Sequence, residues 1–239
     1  MHLRVIVPVI GDTFAQSVGA EITAWVSHGT TFDVVALARG TASIESEYDE
    51  ALAAPGILDR IDEASSDGVD AVFVTCFGDP AVHAAREIAD YPVVGGFEPA
   101  VLHALSLGER VGIITVLPNV LPMLRSLTRR YGLSERIGCI RVVDLPVLGL
   151  EDHELLLDRL HAEASEAVAK GEADVIVLGC TGMLGVAAAL QRRLEENGTY
   201  VPVVDPTGAA VSWLESSVRL GVRPSRTTYM RPPVKARSV

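Results

Sequence analysis

Three cysteines in 239 residues are too few for a disulfide framework, and an odd number cannot pair completely within one chain. Lysine and arginine number 20 against 31 Asp and Glu, and the resulting formal charge of −11 argues against a nucleic-acid surface built on clustered cations. Apolar runs are strand-sized and broken by charge or proline, so nothing approaches the roughly 20 residues of a membrane span. His-x-x-x-His and Cys-x-x-Cys spacings are absent and the six histidines are scattered, so no metal is expected. Around Gly179-Cys180-Thr181-Gly182 there is neither a Gly-x-Gly-x-x-Gly order nor a Gly-Lys-Ser/Thr ending, which argues against nucleotide binding.

Against these absences stands a 49% hydrophobic content, enough for a full core in one large domain or two small ones. The opening Met1-His2-Leu3-Arg4-Val5-Ile6-Val7-Pro8 runs straight into a strand pattern without the layout of a secretory leader. A cytoplasmic protein with free thiols is therefore expected.

Two stretches read as copies of one unit. Residues 68–76 and 172–180 each carry a cysteine six residues after an aspartate, Cys76 after Asp70 and Cys180 after Asp174, at the end of a buried-looking run. Arg4-Val5 has a counterpart in Arg110-Val111, 72 and 70 residues before the respective cysteines (76 − 4 and 180 − 110), and 92–100 recurs as 202–210. The chain thus divides into two halves of about 100 residues each. We place the first lobe at 1–97 plus 208–239 and the second at 98–207, with a last helix over 207–220 packing back on the first.

Strand and helix signals alternate throughout, the pattern of an α/β protein, and we expect two small parallel sheets facing each other. Strands are expected at 5–9, 32–37, 70–75, 92–95, 111–116, 138–143 and 175–179. Asp12 or Thr13 caps a first helix whose Phe14, Val18, Ile22 and Trp25 share one face. The polar segment 39–50 reads as a loop and 56–64 as helix. Asp79-Pro80 and Glu98-Pro99 each open a helix. Further helices are expected at 119–130, at 151–170 with Leu155, Leu160, Ala164 and Val168 inward, and through Val186, Ala189, Leu190 and Leu194 to a stop at Asn197-Gly198. From Arg223 onward the chain is Pro-rich and basic, an arm or a frayed tail.

A strand that stops at a thiol and opens into a helix sets that thiol beside unpaired N–H groups, which favours thiolate. Ligands of parallel α/β folds bind outside the carboxyl ends of the strands, where both cysteines are placed. Facing lobes would bring Cys76 and Cys180 to one cleft. One thiolate there could remove a proton from a carbon while the opposing thiol supplies one to the other face, without cofactor if the carbon acid is activated enough. The N–H groups at Gly78, Asp79, Thr181 and Gly182 would hold a carboxylate or enolate-like oxygen. The Thr181 hydroxyl is a substrate contact. Thr115 and Pro118 stand at a strand end facing the cleft, where pocket lining and ordinary packing remain equally open. Ser43, Ile44 and Tyr48 are placed to line the pocket from their loop.

Other candidates read as structural. Cys139 is a small buried apolar residue in a strand, His103 a core or boundary histidine, and Glu98 and Asp205 helix-start acids interacting with the dipole. A binding module whose thiols are merely buried would leave their repeated placement to coincidence.

Cys76-Phe77-Gly78-Asp79-Pro80, Ser43-Ile44-Glu45-Ser46-Glu47-Tyr48-Asp49-Glu50 and Val177-Leu178-Gly179-Cys180-Thr181-Gly182-Met183 together resemble the hydantoin racemase branch of the aspartate/glutamate racemase superfamily, which includes allantoin racemases. The resemblance covers nearly the whole chain. It implies two pseudo-symmetric Rossmann-like lobes with parallel sheets, an active site in the cleft between them, and Cys76 and Cys180 as the acid/base pair. It further implies no cofactor, a small-molecule substrate, a homo-oligomer, and inversion at C5 of 5-substituted hydantoins, whose ring groups acidify the C–H. Phe77 joins the substrate contacts through its motif. Similar arylmalonate decarboxylases keep only the later cysteine, whereas maleate isomerases keep both and use one as a nucleophile on a double bond. The branch usually carries substrate-holding Asn-Pro-Asn after the first strand. Here Pro8 is retained as a candidate contact but Val9 and Ile10 follow it, so polar anchors at that end are lost or replaced by Asp12 or Thr13.

Overall fold

The computed structural model describes residues 1–11, 14–196, 198 and 200–236; the Asp12/Thr13 cap and the Asn197 stop lie outside the described residues. Among the described residues, eight strands form two four-stranded, all-parallel sheets. The first contains β1 (His2–Ile10), β2 (Thr31–Leu37), β3 (Ala71–Val74) and β4 (Val93–Val94), ordered β2-β1-β3-β4. The second contains β5 (Val111–Thr115), β6 (Ile137–Val142), β7 (Val175–Leu178) and β8 (Val203–Val204), ordered β6-β5-β7-β8. Helices cover both sheets, which is why β3 and β7 are buried along their whole length and read as continuous apolar runs rather than alternating ones.

The central registers match: Leu3 pairs with Ala71 in one sheet and Val111 with Val175 in the other. At the entry to each pair an aspartate accepts a backbone N–H, Asp70 from His2 at 2.7 Å and Asp174 from Arg110 at 2.9 Å. His2 therefore stands where Arg110 does, and the expected Arg4–Arg110 equivalence is out of register by two residues. Arg4 instead lies 7% exposed on β1, held by Asp33 and Asp67 at 2.6 and 2.8 Å.

The helices are α1 (Ala15–Trp25), α2 (Glu47–Asp67), α3 (Val82–Ile88), α4 (Phe97–Ala104), α5 (Leu121–Arg130), α6 (His153–Ala169), α7 (Ala187–Glu196) and α8 (Pro206–Arg219). Two of them exchange sides. Phe97, Ala100 and Val101 of α4, which follows β4, join the core of the second sheet with Ile113, Leu156 and Val177. Ala210, Val211 and Leu214 of α8, which follows β8, join that of the first sheet with Val5, Ile57 and Phe73. Each sheet is thus sealed by a helix that leaves the other one.

Several expectations are corrected. The expected loop over 39–50 is helical from Glu47: Ser46 caps α2 by accepting the Asp49 N–H at 3.2 Å, and the Asp49 carboxylate accepts in turn from the Ser46 hydroxyl and the Glu45 N–H. This capping box, with Glu47, Asp49 and Glu50 in the first turn, starts the helix despite its polar face. Pro55 lies inside α2, which runs on to the left-handed Gly68. Asp79-Pro80 does not open a helix, because Asp79 and Ala81 adopt φ of 51° and 56° and α3 begins only at Val82. On α6 it is Leu156 and Leu157 that are buried, while Leu155 is 39% exposed; Trp25 is 41% exposed. The basic tail is docked as far as Arg231 rather than frayed from Arg223. Arg226 donates to the carbonyls of Arg86 at 2.9 Å and Glu87 at 3.2 Å and to the carboxylate of Asp90 at 2.8 Å, and Arg231 also pairs with Asp90.

Candidate active site

The carboxyl ends of β1, β3, β5 and β7 open into one narrow cleft. Both Cys76, two residues beyond β3, and Cys180, two residues beyond β7, line it. Pro8, Ile44, Phe77, Gly78, Thr115, Thr181 and Gly182 line it as well. Val7, Val9, Phe14 and Val18 close the first-half wall, and Val116, Val120, Met123, Leu124 and Val147 the second. Among the described residues no Asp, Glu, Lys, Arg or His lines the cleft. Tyr48 does not reach it and is 72% exposed.

Asp79 is also outside the cleft, a correction with a clear cause. Its carboxylate turns back under the loop, accepting the Phe97 N–H at 2.8 Å, the Glu98 N–H at 3.3 Å and the Tyr131 hydroxyl at 3.2 Å, and so caps α4. An ideal Cβ on Gly95 would lie 2.2 Å from that carboxylate, so the missing side chain at position 95 is what admits it. Burial above all pushes the Asp79 carboxyl up to about 7, against the lowering effect of the Phe97 N–H.

Neither thiol sits at a helix N-terminus, since α3 starts at Val82 and α7 at Ala187. The expected thiolate-favouring setting is therefore overturned: burial pushes Cys180 up to about 11, and Cys76 further. Local N–H groups oppose this. Gly182 N–H donates to Cys180 Sγ at 3.3 Å, and Gly78 N–H faces Cys76 Sγ. Those groups and the Asp79 N–H, which donates to the Cys76 carbonyl at 3.3 Å, are therefore engaged rather than aimed at a ligand oxygen. Each thiol also raises with nearby negative charge: Cys76 with Cys180, Glu50 and Asp79, and Cys180 with Glu45.

The two loops are tied together. Thr181 Oγ1 donates to the Thr75 carbonyl at 2.9 Å across the halves, and Gly96 N–H donates to the Cys76 carbonyl at 3.0 Å. Thr115 Oγ1 is likewise engaged, donating to the Gly179 carbonyl at 2.9 Å. Over the cleft, Glu45 accepts the Val147 N–H at 2.7 Å, joining the loop before α2 to the segment before α6.

Cys139 lies half-buried on β6 outside the cleft, and His103 is exposed on α4 instead of in the core. Glu98 stands in the first turn of α4 and also forms a partly buried ion pair with Arg86, while Asp205 caps α8 by accepting the Thr207 and Gly208 N–H groups at 2.8 and 3.0 Å. Sequence reasoning missed Met123, Leu124 and Val147. Their signal was weak: two apolar residues on a helix that also carries Arg125, Arg129 and Arg130, and a Leu-Pro-Val-Leu-Gly-Leu stretch at 145–150 without a charge.

Comparison with known proteins agrees with this arrangement. The Asp/Glu/Hydantoin racemase family matches residues 4–214. A hydantoin racemase of Pseudomonas sp. (strain NS671) is 39% identical over 98% of this chain and 93% of its own, and one of Rhizobium meliloti is 38% identical over 99% and 97%. The solved allantoin racemase from Klebsiella pneumoniae superposes with a TM-score of 0.93 at 36% identity, covering 100% of this chain and 96% of that one. With its two parallel sheets and full-length likeness to these proteins, the chain belongs to the Asp/Glu/hydantoin racemase family.

Proposed function

We propose that the protein racemises a 5-substituted hydantoin, or a related uncharged carbon acid, by proton transfer between Cys180 and Cys76. The observation that carries this is the presence of both thiols on one cleft, each delivered by the same strand end of its own sheet. Cys180, the less strongly raised of the two, acts as the base once ionised. It takes the C–H proton, the electron pair moves into the adjacent carbonyl, and Cys76 returns its S–H proton to the opposite face.

The lining selects for neutrality. Burying an isolated carboxylate or ammonium costs several kcal/mol unless it is paired, and the described walls supply no partner charge. A ring imide with an alkyl or aryl substituent meets this surface at lower cost than an amino-acid zwitterion or a dicarboxylate. Val9, where the related branch carries asparagine, extends the apolar wall in the same sense.

The test uses deuterated water and single enantiomers of alkyl- and aryl-substituted hydantoins, allantoin, free amino acids and maleate. Loss of optical rotation with one deuterium entering at C5 of an apolar hydantoin is the expected result. Conversion of maleate to its trans isomer without hydantoin turnover would replace this reading, and no turnover of any of these would remove it.

A further inference from the structure

The carbonyl just before each cysteine accepts a threonine hydroxyl, but from different places. Gly179, ahead of Cys180, receives Thr115 Oγ1 at 2.9 Å from β5 of the same sheet. Thr75, ahead of Cys76, receives Thr181 Oγ1 at 2.9 Å from the opposite half. Val7 stands in the first sheet where Thr115 stands in the second, because Ile6 pairs with Val74 as Ile114 pairs with Leu178. The first sheet therefore lacks its own hydroxyl at that point, and the residue that follows Cys180 supplies it. The rest of the Thr181 side chain is committed to the same contact. A Cβ on Gly96 would lie 3.0 Å from Thr181 Cγ2, and the Gly96 N–H donates to the Cys76 carbonyl at 3.0 Å, so the methyl packs on the backbone that holds Cys76. Thr75 and Thr181 are both buried, and loss of the hydroxyl leaves the Thr75 carbonyl without it.

Resting on the racemase reading, we infer that Thr181 is a positioning residue that fixes the Cys76 loop against the Cys180 loop, so that the two thiols address opposite faces of one carbon. The neighbour of Cys180 in the chain grips the neighbour of Cys76, and one side chain sets the spacing of both loops. During inversion the substrate C–H and Cys76 S–H bonds break while a Cys180 S–H and a new C–H bond form. The electron pair left on carbon is held in the adjacent carbonyl between the two transfers. With Cys76 displaced, the carbanion is requenched by the Cys180 S–H alone, on the face from which the proton left. In deuterated water, a Cys180 sulfur that has exchanged with solvent then returns deuterium without inversion.

Thr181→Val keeps the branched shape and removes the donor. With a single enantiomer of an apolar 5-substituted hydantoin in deuterated water, wild type should place deuterium almost entirely in the inverted product at early conversion. Thr181→Val should slow inversion by about tenfold or more and raise the ratio of deuterium in the retained enantiomer to that in the inverted one by about tenfold. Thr181→Ser, which restores the hydroxyl, should bring most of that ratio back. Gly96→Ala leaves every donor in place but sets a methyl 3.0 Å from Thr181 Cγ2, and should move the ratio in the same direction; it carries the test if Thr181→Val does not fold. Exchange and inversion falling together, a raised KM at an unchanged ratio, or no return in Thr181→Ser would overturn the positioning role. Wild-type protein that racemises no hydantoin would remove the underlying reading instead.

Discussion

Three residues after the first cysteine the chain places Asp79, whose carboxylate leaves its own loop to cap α4. Three residues after the second it places Met183, and the cap of the equivalent helix, α8, comes from Asp205 immediately before it. Gly95 occupies the place of Asp205 in the first half, and its lack of a side chain leaves room for the Asp79 carboxylate. One task, satisfying the first N–H groups of a helix that crosses to the other sheet, is solved once at long range and once locally. The consequence is chemical. The loop of Cys76 carries a buried carboxylate that helps raise its thiol, and the loop of Cys180 does not. Two repeats of one unit hold thiols of unequal acidity, set first by burial and only then by these charges, which suits the proposed pairing of one base with one acid.

The comparison is broken most directly at the sulfurs. Cys76→Ser and Cys180→Ser should each lower racemisation by about 10²-fold or more while leaving the circular dichroism spectrum unchanged. Cys76→Ser should still exchange the C–H of one enantiomer for deuterium without inverting it, because Cys180 remains. Full racemisation by either variant would end the two-thiol scheme.

The caps sharpen it next. Asp79→Ala should cost about 2 kcal/mol in denaturant unfolding, since it strands two buried N–H groups, and should lower kcat by releasing the Cys76 loop. Asp205→Ala should cost about 1 kcal/mol and leave the Cys76 loop in place. Equal effects on kcat would mean that the cap at position 79 has no bearing on the site.

The smallest effect is in the pH dependence of stability. Burial raises the Asp79 carboxyl to about 7 and Asp205 to about 6, so both bind protons more tightly folded than unfolded. Their contribution is complete below the ordinary aspartate range near pH 4 and is lost as pH rises through 6 and 7. Tm followed from pH 4 to 8 should decline, Glu50, also raised to about 7, adding to the two aspartates; Asp79→Asn should make the decline shallower up to about pH 7 and Asp205→Asn only up to about pH 6.

Most strands and the placement of a cysteine just beyond β3 and β7 were legible because those strands are buried on both faces, and the Asp70 and Asp174 repeats mark their entries. The start of α2 was hidden. Its first turns carry Tyr48 and Leu52 outward, 72% and 44% exposed, so no apolar face is evident before Ala53, although Ser46 and Asp49 already formed a capping signature. The tail was misjudged because a Pro-rich basic stretch looks the same whether or not carbonyls and an aspartate await it, here those of Arg86, Glu87 and Asp90. Asp79 was assigned to the ligand because its motif stands beside the thiol, and nothing local shows that its side chain points away.

Sequence alone determined the alternating α/β order, the two repeats and a thiol at the end of each third strand, because hydrophobic period and small-residue turns are local properties. Tertiary structure alone decided that α4 and α8 exchange sides, that Asp79 serves a helix instead of the cleft, and that burial makes Cys76 a weaker acid than Cys180. Those outcomes depend on desolvation and charge summed over residues distant in the chain, and no window of sequence contains that sum.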